Sequence, residues 1–239
     1  MPIYELHPEF VGFPTRTAFE DDIVAVGGDL RAERLLEAYS RGVFPWYNEP
    51  GRLRWYCPEE RCVLKVESVE VSHSMRSIFR KGEFTFSMDT VFREVIEACR
   101  EGEREGQTWI HDEIVESYVA LHRLGVAHSL EVWSKSELVG GLYGVSLGNL
   151  FFGESMFSRQ PNTSKAALIT LCRFLPQLGI HLIDCQVPTD HLLSMGAEAW
   201  HRDYFLDTLE TSMQQLTTSG SWQKRFAEWG ASSINNSVG

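Results

Sequence analysis

Hydrophobic residues recur along this chain at two spacings, and the change of spacing divides it. In residues 21–61 a short apolar strand ends at Gly27-Gly28-Asp29, after which Leu30, Leu35, Ala38 and Tyr39 recur at helical intervals. Asp29 is expected to cap this helix and Gly42 to end it. Phe44, Pro45, Trp46, Tyr47, Trp55 and Tyr56 follow closely. That is too many large rings for a plain connector, and an aromatic loop is expected.

From residue 62 the pattern becomes mixed α+β. Strands are expected over 62–67 and 83–87, and a helix over 90–102 carries Val91, Val95, Ile96 and Cys99 on one face. A second helix has Ile114, Tyr118 and Leu121 as its stripe and closes at Gly125. Three β segments follow at 128–133, 138–147 and 150–158, joined by the short turns SKSE and GN. A helix over 163–178, capped by Asn162 or Thr163, leads into the strand HLIDCQV at 181–187. The expected organisation is a small α/β domain over 1–61 and an α+β domain over 62–215 with a mixed, largely antiparallel sheet. Residues 216–239, with TTSGSW and ASSINNSVG, read as a mobile tail.

Composition narrows the classes. Of 239 residues 43% are hydrophobic and 12% aromatic, enough for packed cores. No apolar run approaches the ~20 residues that span a bilayer. The start, MPIYELHPEF, has neither a basic nor an apolar leader region, so a cytoplasmic protein without membrane contact is expected. The five cysteines are scattered without a CxxC pair and the histidines form no HxH or HxxxH pair, which argues for reduced thiols and against a metal site. A formal net charge of −11 excludes a surface coated in basic charge. A local patch is still open: Arg76, Arg80 and Lys81 lie at helical spacing in SMRSIFRKG, where a solvated helix face is the plainer reading.

Four features carry candidate chemistry. Gly140, Gly141, Gly144 and Gly148 punctuate one long strand, which marks bulges, close approach or strong twist. Glu154 stands in an apolar strand where alternation gives it the face of Phe152 and Met156. The polar turn SRQPNTS feeds a helix amino end. Asp184 and Gln186, two apart in HLIDCQV, are expected on one face with Cys185 pointing away. A carboxylate in such a strand either reaches solvent or lines a site. No GxSxG or other nucleophile motif occurs.

Together AVGGDL, RLLEAYSRGVFPWY, TWI, GVAHSLEVW, LVGGLYGVSLGNLFFGESMFSR, NTSKAAL, LIDCQV and DHLLSMGA resemble the leucyl/phenylalanyl-tRNA protein transferases of bacteria, over residues 21–206. The resemblance implies a small amino-terminal domain beside a catalytic domain of the GNAT acyltransferase fold, acting without a cofactor. It implies transfer of Leu, Phe or, less efficiently, Met from aminoacyl-tRNA to the α-amine of proteins that begin with Arg or Lys. Such a product is an N-degron. Asp184 and Gln186 would then form the centre where amine meets ester, Gln186 orienting the amine and Asp184 polarising Gln186 or relaying its proton, with the tRNA ribose hydroxyl as the alternative proton acceptor and Glu154 holding the donor's amino group. Trp46 and Trp109, with Tyr39 and Tyr118 nearby, match the family's adenosine-binding aromatics, and Leu142, Phe151, Leu171 and Ile183 its side-chain pocket. Arg76, Arg80 and Lys81 match a segment used toward the tRNA acceptor stem. Thr189 stands where the family often has Asn, and Leu142 where some relatives have Met. A monomer is expected.

Two rivals are distinguishable. An acetyl-CoA-dependent N-acetyltransferase needs a glycine-rich pyrophosphate loop, and RQPNTS contains no glycine. A non-catalytic tRNA-binding module would keep the aromatics and the basic patch, but would not require Asp184, Gln186 and Glu154 together.

Overall fold

Two sheets carry the chain. The computed structural model describes residues 3–46, 53–101 and 109–236. Among these, β1 (Tyr4–Leu6), β2 (Ile23–Gly27), β3 (Phe44–Trp46) and β4 (Arg54–Tyr56) form a sheet in the order β1-β2-β4-β3. Helix α1 (Ala32–Ser40) buries Leu35, Ala38 and Tyr39, as their spacing predicts, and also Arg34, while Leu30 lies buried before its start; Gly42 follows it at φ +73°. The N-cap residue is Arg31, not Asp29. Asp29 instead accepts from the Arg31 main-chain N–H at 3.0 Å and pairs with the buried Arg34. The expected aromatic loop is a strand pair, with Phe44 opposite Tyr56 and Trp46 opposite Arg54. Tyr47 lies outside the described residues.

The second sheet contains β5 (Glu60–Lys65), β6 (Thr85–Met88), β7 (Ala127–Ser134), β8 (Glu137–Leu147), β9 (Leu150–Ser158), β10 (Leu182–Gln186) and β11 (Glu198–His201). Their order is β11-β5-β10-β9-β8-β7-β6. β9 and β10 run parallel and the other neighbours antiparallel, which is the mixed, largely antiparallel sheet expected. A parallel pair needs a crossover, and α5 (Thr163–Phe174) supplies it. Asn162 is its N-cap residue but makes no side-chain capping bond; Ser158 Oγ accepts from the Ser164 N–H at 3.0 Å instead.

Alternation sorts the large sheet's side chains into two cores. Tyr143, Val145 and Phe152 pack with the small sheet, α1, α3 (Phe92–Glu101) and α4 (Asp112–Arg123). Leu142, Phe151 and Ile183 pack with α2 (His73–Lys81) and α5. Each such side chain, fully buried, contributes ~1.5–3 kcal/mol, so both faces of the sheet are held.

Beyond β10 the structure departs from expectation. Residues for which spacing predicts no element form α6 (Asp190–Ser194), β11 and α7 (Arg202–Met213). The stretch from Trp222 to Phe226, within the expected tail, is packed rather than loose. Trp222 is fully buried, its ring centroid 3.5 Å from that of His128, and its main-chain N–H donates to Asp89 at 2.7 Å. Helix α8 (Gln223–Asn236) follows. Trp222 and Phe226 enter the second core, with Trp229 packed against it.

Candidate active site

Two β-bulges face each other across the parallel pair. On β8 and β9, Tyr143 is opposite Ser155 while the next residue, Gly144, is opposite Gly153. Glu154 is therefore an extra residue. On β10 and β5, Asp184 is opposite Val63 and Gln186 opposite Cys62, which makes Cys185 an extra residue too. A bulge bends its strand and re-aims side chains. Gly144 is what the first one requires, since a Cβ there would lie 2.2 Å from the Phe152 carbonyl oxygen. Pairing between β9 and β10 ends at Phe152 and Asp184, and the residues that follow line two adjoining cavities.

The re-aimed side chains form one network. Glu154 accepts from the Tyr39 hydroxyl at 2.7 Å, the Tyr118 hydroxyl at 2.8 Å and the Gln186 carboxamide at 2.9 Å. The two phenols also touch each other. All three donors are neutral, so burial dominates and pushes the Glu154 carboxyl up to about 7, with the nearby Asp184 charge acting in the same sense. Both phenols are pushed well above their ordinary range, chiefly by burial.

Asp184 is in different company. It is fully buried and held by Arg61, Nε to Oδ1 at 2.8 Å and a terminal nitrogen to Oδ2 at 2.5 Å. The Arg61 guanidinium lies between the rings of Phe44 and Phe205, 4.8 and 4.5 Å from their centroids. Burial alone would lower its pKa, yet the Asp184 charge and hydrogen bonds leave it raised. Asp184 Oδ1 also accepts the Gln186 main-chain N–H at 2.9 Å. Gln186 stands at φ +63°, a region rarely adopted by a non-glycine residue, and this bond helps to hold it there.

The first cavity has a volume of about 250 Å³. Leu142, Phe151, Leu171 and Ile183, the expected side-chain pocket, all line it, together with Met156 and Leu168. The second, of about 190 Å³, is lined by Trp46 and Trp109 with Phe44 and Pro45. Glu154, Cys185, Gln186, Thr189 and Leu192 border both. The network thus stands at the junction of an apolar chamber and an aromatic cleft.

Several expectations change. Asp184 and Gln186 do not present their side chains side by side: Asp184 turns to Arg61 and borders neither cavity. Cys185 does not point away but lines both. Phe152 sits in the core beside Tyr39, with ring centroids 5.0 Å apart, whereas Met156 lies in the first cavity with Phe151. The bulges cause each change, since an extra residue shifts alternation by one. Tyr39 and Tyr118 are fully buried, line neither cavity and support Glu154 rather than offering a surface to a ligand. Arg76, Arg80 and Lys81 are exposed on α2, outside both cavities.

Two family models match the chain. Residues 63–210 match the model described as leucyl/phenylalanyl-tRNA protein transferase, and residues 28–59 match that family's N-terminal domain. The chain belongs to the leucyl/phenylalanyl-tRNA protein transferase family. A family member from Myxococcus xanthus is 49% identical over 227 residues, 93% of this chain and 97% of that protein. Another, from Syntrophus aciditrophicus, is 49% identical over 224 residues, 93% of this chain and 94% of its own length. Among solved structures, an aminoglycoside acetyltransferase from an uncultured soil metagenomic sample aligns over 55% of this chain and 88% of its own, with 13% identity and a TM-score of 0.38. A GCN5-related N-acetyltransferase-like protein from Streptococcus suis aligns over 69% of this chain and 61% of its own, with 16% identity and a TM-score of 0.32. The fold is mixed α+β, as expected.

The functional residue least expected from the sequence is Arg61. Its signal was available: a lone Arg inside the strand ERCVLK, where a buried guanidinium needs a carboxylate partner. His191 is another. It lines the first cavity, its Nε2 is buried without a hydrogen-bond partner, and burial lowers its pKa. Among the described residues no group of His, Cys, Asp or Glu is arranged to hold a metal ion, and no helix is long and apolar enough to cross a membrane.

Proposed function

We propose that this aminoacyltransferase moves Leu, Phe and, less efficiently, Met from aminoacyl-tRNA to the α-amine of proteins beginning with Arg or Lys. The product is a peptide bond and an N-degron, made in the cytoplasm by a monomer without a cofactor. One observation carries the reading: the Glu154–Gln186 pair stands where an apolar chamber of side-chain size meets a tryptophan-lined cleft. An aminoacyl-adenosine end has the matching shape, with an apolar group on one side of an ester and a base on the other.

The parts suit that chemistry. Stacking a base on an aromatic ring is worth ~1–3 kcal/mol, which Trp46 and Trp109 would supply. Burying a Leu or Phe side chain against Leu142, Phe151, Leu171 and Ile183 adds ~1.5–3 kcal/mol. The ester is already activated, so alignment of the amine against its carbonyl provides much of the acceleration. Gln186 would orient that amine. Arg61 and Asp184 would fix the Gln186 backbone, a positioning role. Arg76, Arg80 and Lys81 would contact acceptor-stem phosphates, which orient a nucleic acid without reading its sequence. The division at 61/62 belongs to this reading, with α2 and both bulges in the larger domain.

The test is transfer of labelled leucine from leucyl-tRNA to two peptides that differ only in an amino-terminal Arg or Asp, without acetyl-CoA. Label on the Arg peptide alone is expected. Label on neither, with acetylation once acetyl-CoA is added, would overturn the donor assignment.

A further inference from the structure

We propose that Glu154 is the base of the transfer, taking a proton from the attacking α-amine and delivering it to the departing ribose oxygen. This rests on the donor and acceptor classes proposed above and deepens them.

Geometry supports the assignment by elimination and by position. Asp184, the other carboxylate of the network, has one oxygen on Arg61 Nε and on the Gln186 main chain and the other on a terminal Arg61 nitrogen, and it borders neither cavity. Neither cavity offers an incoming amine a path to it. Among the described residues that border both cavities, Glu154 and Cys185 are the titratable ones. The Cys185 thiol is hydrogen-bonded to Cys62 and pushed well above its ordinary range by that bond and by burial. Glu154 remains.

Its surroundings are those of a reversible proton acceptor. The groups facing it are Tyr39 from α1, Tyr118 from α4, Gln186, Cys185 and Asp184 from β10, and Arg61 from β5, with His191 of α6 on the wall of the first cavity. The cation among them is committed to Asp184. The carboxylate is therefore held by neutral donors that can stay in place whether or not it is protonated.

The step balances. As the neutral amine's nitrogen bonds to the ester carbonyl carbon, one N–H proton passes to Glu154. As the bond from that carbon to the ribose oxygen breaks, the same proton passes to that oxygen. An amide and a free ribose hydroxyl result, and Glu154 is again a carboxylate. An α-amine has a pKa near ~8, so a fraction is neutral at physiological pH, and a base poised near the working pH is the efficient choice.

The test is the pH dependence of leucine transfer to the Arg peptide at saturating leucyl-tRNA, for the intact protein and two variants. The unsubstituted protein is expected to show a rising limb near pH 7, the carboxyl's own value. Glu154→Gln should lose that limb, keep only the amine's limb near ~8 and fall about 100-fold in kcat with KM for leucyl-tRNA near its original value. Tyr118→Phe removes a donor to the carboxylate but leaves Glu154 in place, so it reads out the proposal even where Glu154→Gln folds poorly. Its limb should move to higher pH, since the charged form has lost a hydrogen bond. A limb that stays in Glu154→Gln, or does not move in Tyr118→Phe, would overturn the assignment. So would a Glu154→Gln variant that changes only KM for leucyl-tRNA, which is what holding the donor's amino group alone predicts. No transfer by the unsubstituted protein at any pH would instead sink the functional reading itself.

Discussion

The two carboxylates at the end of the β9–β10 pairing have opposite fates. Asp184 is sealed against Arg61, its charge matched by a cation in a bidentate bond, and it borders neither of the two cavities. Glu154 is half-buried, bonded by two phenols and a carboxamide, and borders both cavities. The difference teaches what burial does to an acid. With a cation beside it, burial makes an anchor; with only neutral donors, it makes a group that titrates near neutrality.

The largest effect expected from breaking this comparison is on the anchor. Asp184→Ala or Arg61→Met leaves one buried charge without its partner, which costs about 3–5 kcal/mol. Denaturant unfolding should show that loss in either single variant and a smaller one in the double variant. A loss in the double variant equal to the sum of the two single losses would mean that the pair does not act as a unit.

Next is the pH dependence of stability. The folded pKa of Glu154 is raised from 4.5 to about 7, so its favourable contribution is complete below pH 4.5 and is lost as pH rises through 7. The difference at full ionisation is about 3 kcal/mol, an upper figure for a half-buried group. Glu154→Gln should therefore gain in Tm relative to the unsubstituted protein as pH rises from 4.5 to 7. A flat difference would place the carboxyl in water.

How much of this was legible in the sequence follows from what each device needs. The β7–β9 meander announces itself, because alternation and the turns SKSE and GN are local signals. Leu142, Phe151, Leu171 and Ile183 of the first cavity and Trp46 and Trp109 of the second could be named from the resemblance; Met156, Cys185, His191 and Leu192 could not. The bulges could not be read, because one extra residue in a strand is visible only against its partner: Glu154 against Tyr143 and Gly144, Cys185 against Val63 and Cys62. Pairing across 123 positions is equally non-local, and so Arg61 was missed and Asp184 was given the wrong neighbours. Trp222 lies in a run whose composition suggests a tail, yet its ring stacks on His128.

Smaller effects sharpen the functional half of the comparison. Ile183→Phe adds bulk to the first cavity and should lower kcat/KM for phenylalanyl-tRNA more than for leucyl-tRNA, by roughly tenfold in the ratio. Trp109→Ala should weaken binding of the aminoacyl-adenosine end by ~1–3 kcal/mol, seen as a raised KM with either donor. Smallest is Arg80→Ala, on the exposed face of α2. It should weaken tRNA binding uniformly and reduce the slope of log affinity against log salt by about 1.

The central claim is that Asp184 anchors and Glu154 reacts, and paired measurements on the same preparations test it most directly. Single-turnover transfer from leucyl-tRNA to the Arg peptide and the unfolding midpoint would be recorded for Asp184→Asn and Glu154→Gln. The account predicts that Glu154→Gln remains folded and loses the chemical step, while Asp184→Asn is markedly less stable but, wherever it is folded, keeps the Glu154 limb, displaced below pH 7 because the Asp184 charge no longer raises that carboxyl. A stable Asp184→Asn protein without that limb, beside a Glu154→Gln protein that retains it, would contradict the account.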